Sequence, residues 1–352
     1  MIGSATMPTV DVIVPCYNYA RYLRECVYSV LSQSEVEARV LVIDDHSKDE
    51  TPQVGRELAA ADSRVEFYRH SSNRGHIATY NEGLSMVRAD YVVLLSADDL
   101  LTPGALGRAT RLLEAHPNVG FVYGYPIPLY AGVPPPPPRT RTSSWTVWQG
   151  GEWIAQMCRS GRNFIDSPEV VMRSQVQREI GGYRQSLPHS GDMEMWLRAA
   201  AISDVGHING ADQAYYRIHS ESMQRTVNSG FVFDLKGRLD AFESAFSGPA
   251  GRLPDATALL TAARRALALL AVERVRQVYG AGRSALEPVA DYCDFARDIY
   301  PEVMRDRAWH SMDFARRAGT SPALRALYWG KAGYRRIREH LAWRQWWRTG
   351  LY

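Results

Sequence analysis

Along the first 125 residues, short apolar runs alternate with longer stretches in which apolar residues recur at helical spacing. The runs are rich in β-branched and aromatic residues, as buried strands are. They span residues 10–14, 40–43, 65–68, 91–95 and 119–123. Between them, Leu23, Val27 and Val30 repeat at helical spacing, and so do Ile77 and Leu84. This alternation predicts an α/β fold with a mostly parallel sheet and helices on both faces.

Three polar segments follow predicted strands in this region. They are residues 15–18, 44–47 and 98–99. Because ligands of parallel sheets bind beyond the carboxyl ends of the strands, we expect these segments along one rim. A carboxylate such as Asp45 can accept hydrogen bonds from a nucleobase or a ribose, and Tyr17 can stack on a base. Taken separately, the first two segments are also typical of ordinary turns.

Two adjacent carboxylates, Asp98 and Asp99, come soon after the fourth apolar run. Burying an unpaired carboxylate is costly, so such a pair needs a cation or several hydrogen-bond donors. Oxygen ligands at the carboxyl end of a strand suit Mg²⁺ or Mn²⁺ that bridges a diphosphate. The alternative is a helix-starting turn, with Thr102 as the N-cap and Pro103 as the first helical residue.

The segment Asn73-Arg74-Gly75 precedes the next predicted helix. Free N–H groups at a helix start, together with the Arg74 guanidinium, favour a phosphate ligand. The chain contains neither a G-x-G-x-x-G nor a G-x-x-x-x-G-K-[ST] pattern. This argues against a dinucleotide site of the Rossmann kind and against a P-loop.

A different pattern begins at Pro126. Residues 134–138 are consecutive prolines, which favour polyproline II and cannot join a sheet. We expect an exposed loop there, with a ligand for a proline-recognition domain as the lesser alternative. From about Phe233 the chain is rich in Ala, Arg and Leu at helical spacing, which predicts a helical C-terminal region.

The last stretch, residues 331–348, carries six Lys/Arg against one Glu, interleaved with four aromatic residues. A basic amphipathic helix of this kind can lie on an anionic membrane surface. Its aromatic face can also pack on the rest of the chain or on a second copy. We expect such packing, and membrane contact stays an open alternative.

The composition is that of a globular protein, with 45% of the 352 residues apolar and 22% charged. The net charge of +3 gives no argument for nucleic acid as a partner. The four scattered cysteines lack metal-site spacing and are expected to be reduced thiols. The N-terminus has no signal-peptide pattern, and no apolar run reaches the roughly 18 residues of a membrane span. We expect a cytoplasmic protein, either free or peripheral at the inner face of the membrane.

Five blocks in a fixed order resemble family 2 glycosyltransferases. The first four are VIVPCYNYARYLRECVYSVLSQ, VIDDHSKDET, NRGHIATYNEGL and YVVLLSADDLLTPGAL, and the fifth joins residues 180–183 to 191–198. The resemblance covers about residues 9–225. It implies the GT-A fold, a nucleoside-diphosphate sugar as donor, a divalent metal, and inversion of the anomeric configuration.

The resemblance also implies roles for residues at the predicted rim. Asp45 is similar to the aspartate that binds the nucleobase, which Pro15 and Tyr17 flank. Asp98 lies at the position that meets the ribose and the metal, and Asp99 at the position that binds the metal directly. The implied metal is Mn²⁺ or Mg²⁺.

The donor's diphosphate has three implied contacts. Arg74 lies in the third block, while Arg217 and His219 resemble a Tyr-Arg-x-His segment that closes over the diphosphate. Relatives often carry a third acid where this chain has Ser96. We therefore expect the diphosphate to complete the coordination shell of the metal.

Asp192 matches the last acid of the family's Glu-Asp block, which is the general base. A sugar hydroxyl needs such a carboxylate to take its proton as the new bond forms. Gly191 stands where relatives commonly have an acid, and Glu194 is a weaker candidate. On a helix, Asp192 and Glu194 point about 200° apart, so we expect them to have different roles. The alternative for Asp192 is a helix N-cap.

We expect a GT-A catalytic domain over residues 1–230, with a nucleotide-sugar part at about 9–125 and an acceptor part at about 126–230. Residues 231–352 form the helical C-terminal region. The expected reaction is inverting transfer from a nucleotide-sugar, a UDP-sugar on family grounds, to a glycan, lipid-linked or small-molecule acceptor. The alternative is a catalytically weak relative that binds nucleotide or glycan as an interaction module. A sugar-nucleotide nucleotidyltransferase would need a Gly-rich basic loop after the first strand, which VPCYNYARY lacks.

Overall fold

The structure, a computed structural model, describes residues 7–130, 132–219, 230–280, 287–318, 340–341 and 344–351. Its strands are β1 (Thr9–Cys16), β2 (Glu37–Asp44), β3 (Val65–Arg69), β4 (Tyr91–Leu94), β5 (Leu100–Leu101), β6 (Val119–Tyr130), β7 (Ser144–Trp148), β8 (Val171–Arg173) and β9 (Asp204–Ile218). The helices of the first part are α1 (Ala20–Leu31), α2 (Thr51–Ala61), α3 (His76–Ser85), α4 (Ala105–Ala115), α5 (Gly150–Ser160), α6 (Ser174–Ile180) and α7 (Gly191–Ala200). The later helices are α8 (Phe231–Phe246), α9 (Ala256–Gly280), α10 (Val289–Ile299) and α11 (Arg307–Ala318).

The nine strands form one sheet in the order β3-β2-β1-β4-β8-β6-β9-β5, and β7 pairs with β9. The pairs among β1 to β4 and the pair of β6 with β9 are parallel. The shorter strands β5, β7 and β8 pair antiparallel. All five predicted apolar runs are strands, so the predicted α/β fold is confirmed.

Strand β1 alternates between two cores, because successive side chains point to opposite faces of a sheet. Val12 and Val14 share a core with residues of α1 and α4. Ile13 belongs to the core on the other face, which also includes Trp196 of α7 and Phe242 of α8. This second core continues into α9 and α10, so the C-terminal helices pack directly on the sheet domain. The predicted helical region is confirmed, and the domain boundary at residue 230 stays a prediction.

The alternative interpretation, in which Thr102 is the N-cap and Pro103 the first helical residue, is wrong. The two residues before Thr102 form strand β5, and the Thr102 hydroxyl donates to the Asp212 carbonyl in β9. Helix α4 begins at Ala105, after Gly104 in the left-handed region at φ 73°. Thr102 resembles an N-cap in the sequence, but its hydroxyl instead connects the segment between β4 and α4 to β9.

The predicted change of pattern at Pro126 is also wrong, because β6 continues to Tyr130. Beyond residue 122, the described part of β6 pairs with β9 along one edge. A strand with one free edge tolerates proline, which has no N–H to donate. The prolines at 134–138 follow in a segment without helix or strand, with 134–137 exposed, as predicted.

The described tail residues 344–351 lie against β6 and β7. Trp347 stacks on Tyr125 with 4.4 Å between ring centroids. Trp148 Nε1 donates to the Thr349 carbonyl at 3.0 Å. Packing of the tail on the rest of the chain is confirmed for these residues, and the remainder of the basic stretch lies outside the described residues. Among the described helices, none is long and apolar enough to cross a membrane.

Replacement of Trp346 tests this packing. Its side chain is 8% exposed and lies 5.2 Å from the ring of Tyr125. We expect Trp346→Ala to lower the free energy of unfolding by about 3 kcal/mol, measured by urea denaturation. Trp145→Ala is the control, since that tryptophan is 38% exposed. Equal stability of the two variants would contradict the packing, and tail-dependent pelleting with anionic liposomes would support the membrane alternative.

Candidate active site

The loops after β1 and β2 are joined to each other at the carboxyl end of the sheet. Asn18 and His46 adopt left-handed backbone angles, with φ of 60° and 63°. The Asn18 N–H donates to Ser47 Oγ at 2.8 Å, and the Lys48 N–H donates to Asn18 Oδ1 at 2.8 Å. Asparagine tolerates this conformation better than most residues, which explains a polar residue at the turn. The first two predicted rim segments are therefore neighbours.

Asp45 is buried at this rim and holds the start of α3. Its Oδ1 accepts from the Arg74 N–H at 2.7 Å, and its Oδ2 accepts from the Gly75 N–H at 2.9 Å. His70 Nδ1 lies 2.7 Å from Oδ1. The carboxylate thus orders the loop between β3 and α3, a role that sequence analysis missed, and its nucleobase contact stays a prediction.

The other predicted nucleotide contacts are at the same rim. Pro15 is paired with Ile43 in the parallel β1–β2 ladder, and Tyr17, two residues on, is 43% exposed and available for stacking. The Arg74 guanidinium forms an ion pair with Glu82 of α3. To contact a phosphate, Arg74 therefore has to break its ion pair with Glu82 or bind both groups at once.

The third rim segment is connected to the end of β9. The Arg217 N–H donates to Asp99 Oδ1 at 2.8 Å, and Arg217 Nε donates to the Asp98 carbonyl at 2.7 Å. Its Nη2 reaches Glu25 at 3.1 Å, and the guanidinium lies 4.3 Å from the centroid of the Tyr22 ring. Two segments that are far apart in the sequence are thereby brought together as predicted.

His219 contacts the other carboxylate. Its Nε2 lies 2.9 Å from Asp98 Oδ2, and its ring packs against Tyr19 and Tyr22 at 5.7 Å from each centroid. The side chain is buried, yet Nδ1 has no hydrogen-bond partner among the described residues. The rest of the predicted segment, residues 220–222, lies outside the described part of the chain.

Asp99 is 3% exposed and Asp98 is 8% exposed. Burial raises the pKa of Asp99 well above its usual range, and the charge of Asp98 raises it further, while Arg217 opposes the change. The Arg217 guanidinium donates to a backbone carbonyl rather than to either carboxylate. The pair is therefore short of positive charge, which fits a hard divalent cation with oxygen ligands.

Asp166, in the loop before β8, also raises the pKa of Asp99. Its N–H donates to Glu169 Oε1 at 2.8 Å, and burial raises the pKa of Glu169 well above its usual range. Ser167, between them, has φ 90°, which is strained for a residue with a side chain. The Asp-Ser-Pro sequence predicts a turn, but it carries no signal that this loop acts on Asp99, so the loop could not be identified from the sequence.

Asp192 is the second residue of α7, whose N-cap is Ser190, so the N-cap alternative is wrong. Its Oδ1 accepts from the Tyr183 hydroxyl at 2.7 Å. Glu194 is fully buried and bonded to Arg184 at 2.7 Å and to Arg198 at 2.8 Å. The two carboxylates have different partners, and the prediction that they have different roles stays a prediction.

Two half-buried tyrosines, Tyr80 and Tyr216, are affected by carboxylates from both segments. Burial raises the pKa of Tyr80, and the charges of Asp192 and Asp98 raise it further. Burial and the charge of Asp99 raise the pKa of Tyr216, and Asp98 and Asp192 add to this. The carboxylates after β4 and at the start of α7 therefore act on the same two side chains.

Among the described residues, no group of three or more His, Cys, Asp or Glu side chains is arranged to hold a metal ion without help. Asp98 and Asp99 supply carboxylate oxygens, and the remaining ligands of an octahedral ion would be water or substrate oxygens.

One family model and several known proteins match parts of this chain. The model of Glycosyl transferase family 2 matches residues 11–176. Chondroitin synthase of Escherichia coli is 25% identical over 226 residues, covering 59% of this chain and 29% of that protein. The chain spans 64%, 20% and 36% of three other curated relatives, so it is similar to part of each.

Two solved structures share the fold. S. aureus TarS 1-349, in complex with UDP-GlcNAc, has a TM-score of 0.54 and 17% identity, covering 84% of this chain and 92% of that one. The mannosyltransferase PcManGT of Pyrobaculum calidifontis, in complex with GDP-Man and Mn²⁺, has a TM-score of 0.51 and 18% identity, covering 85% and 89%. At these identities the likeness concerns the fold.

Proposed function

Because residues 11–176 of this chain form a family 2 glycosyltransferase domain, we propose that the protein moves a sugar from a nucleoside-diphosphate sugar to an acceptor hydroxyl with inversion. The observation that carries this proposal is the buried Asp98–Asp99 pair, whose charges act together with that of Asp192 on Tyr80 and Tyr216. A donor site with buried carboxylates and a third carboxylate opposite it suits a single displacement. The acceptor oxygen forms a bond to the anomeric carbon, and the bond from that carbon to the diphosphate oxygen breaks.

In this reaction Asp192 takes the proton of the acceptor hydroxyl. Its Oδ1 is held by the Tyr183 hydroxyl, and Oδ2 has no hydrogen-bond partner among the described residues. A carboxylate with one fixed and one available oxygen is suited to this role, because the proton has a defined acceptor. The electron pair of the broken bond leaves on the nucleoside diphosphate.

We assign the metal to Asp99, with Asp98 close to it and to the ribose. A bound Mn²⁺ or Mg²⁺ supplies positive charge for the diphosphate as it leaves. The mannosyltransferase PcManGT, which has the same fold, is in complex with Mn²⁺, which supports this assignment. Arg217 and His219, which contact the Asp98–Asp99 segment, lie where they can bind phosphate oxygens. Asp45, Pro15, Tyr17 and Arg74 are assigned to the nucleotide and its phosphates.

The proposed donor is a UDP-sugar, and a GDP-sugar is the second candidate. TarS is in complex with UDP-GlcNAc and PcManGT with GDP-Man, and both have this fold. A glycan, a lipid-linked sugar and a small molecule remain the acceptor classes. The competing function, binding of nucleotide or glycan without catalysis, makes no use of a carboxylate with an available oxygen opposite the donor site.

A donor hydrolysis screen tests the proposal without a known acceptor. UDP-GlcNAc, GDP-mannose and other nucleotide-sugars are incubated with the full chain and Mn²⁺, and release of nucleoside diphosphate is measured. We expect slow, saturable release from one donor class and its loss with EDTA, because water can replace the acceptor hydroxyl. Binding without release from any donor would favour the non-catalytic alternative.

A further inference from the structure

Tyr183 occupies an unusual place beside the proposed base. It lies between α6 and α7, its side chain is 5% exposed, and its hydroxyl reaches Asp192 Oδ1 at 2.7 Å. Burial raises its pKa well above the usual range, and the charge of Asp192 raises it further. The hydroxyl therefore stays protonated at neutral pH and donates to the Asp192 carboxyl group.

The backbone of Tyr183 is fixed by Asn81 of α3. The Tyr183 N–H donates to Asn81 Oδ1 at 2.7 Å, and Asn81 Nδ2 donates to the Tyr183 carbonyl at 2.9 Å. Gly182 allows this approach, since a Cβ there would lie 2.3 Å from Asn81 Oδ1. The ring also packs on Tyr80 of the same helix, with 5.3 Å between centroids. Helix α3 thus sets the position of the Tyr183 hydroxyl.

Gly191 makes room for the ring. A Cβ at this position would lie 2.9 Å from Tyr183 Cδ1, closer than side chains approach without a shift. The residue before Asp192 therefore has to be small for Tyr183 to reach the carboxylate. This gives a physical reason for glycine at a position that sequence analysis identified only as a departure from the family pattern.

We propose that Tyr183 is a positioning residue for Asp192, held by Asn81 and accommodated by Gly191. The proposal rests on the proposed function, in which Asp192 is the base. The hydrogen bond fixes the carboxylate rotamer and keeps Oδ2 directed away from Tyr183. It also links α3, which begins at the nucleotide rim, to the residue that receives the acceptor's proton.

Tyr183→Phe tests this role while keeping the ring. On the donor that the wild type hydrolyses fastest, we expect kcat to fall about tenfold, with KM for the donor within about twofold. The backbone bonds of residue 183 to Asn81 are retained, so a fall in kcat at constant KM reports the lost bond to Asp192. Gly191→Ala should change kcat in the same direction by displacing the ring.

Tyr292→Phe is the matched control. This buried tyrosine in α10 donates to Glu287 Oε2 at 2.8 Å, so the variant loses the same kind of bond elsewhere. We expect a lower Tm but an unchanged kcat. If Tyr183→Phe behaves in the same way, its role is structural and the proposal is overturned. If Asp192→Asn keeps full turnover, the base assignment itself is wrong, which is a separate outcome.

Discussion

Asp192→Asn is expected to lower turnover by about 10²–10⁴-fold, because an amide cannot take the proton of the attacking hydroxyl. Nucleotide binding should be nearly unchanged. The Asn Oδ1 can still accept from Tyr183, so the hydrogen bond of 2.7 Å and the start of α7 are retained. Donor hydrolysis measures the first effect, and a titration with UDP and Mn²⁺, followed by the shift in Tm, measures the second.

Asp291→Asn is the control for this variant. Asp291 also lies in the first turn of a helix, α10, so the same charge is lost from an equivalent position in the fold. Any general effect on helix starts should appear in both variants. If Asp192→Asn loses binding and turnover to the same extent, then Asp192 has a structural role and is not the base.

The strand pattern could be predicted because the core residues leave little ambiguity. Val12 and Ile13 face different cores, and a strand buried on both faces gives a continuous apolar run. Thr102 and Pro126 could not be interpreted in the same way. Thr102 is held by β9, and Pro126 lies in the part of β6 that pairs only with β9 among the described strands. Both facts depend on distant parts of the chain.

The site was predictable where a residue's own neighbours carry the information, as at Asp98 and Asp99 after an apolar run. It was not predictable where the partner is remote. The effect of the Asp166 charge on the pKa of Asp99, and the ring of Tyr183 against Gly191, arise only when loops meet in the folded chain. Glu194 was separated from Asp192 by helical geometry, but its buried ion pairs required the structure.

Asp99→Asn is expected to have opposite effects on the free and the liganded protein. Burial and the charge of Asp98 raise the pKa of Asp99, so the folded protein favours the neutral carboxyl group. As pH rises and Asp99 ionises, the folded state therefore loses stability relative to the unfolded state. Removal of the charge should therefore leave the Tm of the free protein equal or higher at pH 7.5. The amide oxygen can still accept from the Arg217 N–H, which preserves the contact with β9.

With UDP and Mn²⁺ the order should reverse. A ligand at about 100 times its Kd stabilises a protein by about 2.7 kcal/mol, so the wild type should gain several degrees in Tm. Without Mn²⁺ the gain should be small, and in Asp99→Asn it should be small with or without the ion. Asp90→Asn, which changes the same residue type beside the other end of β4, should keep the full Mn²⁺-dependent gain. If the gain in Tm of Asp99→Asn matches that of the wild type, the assignment of the metal to Asp99 is wrong. The buried pair would still need a cation from another source.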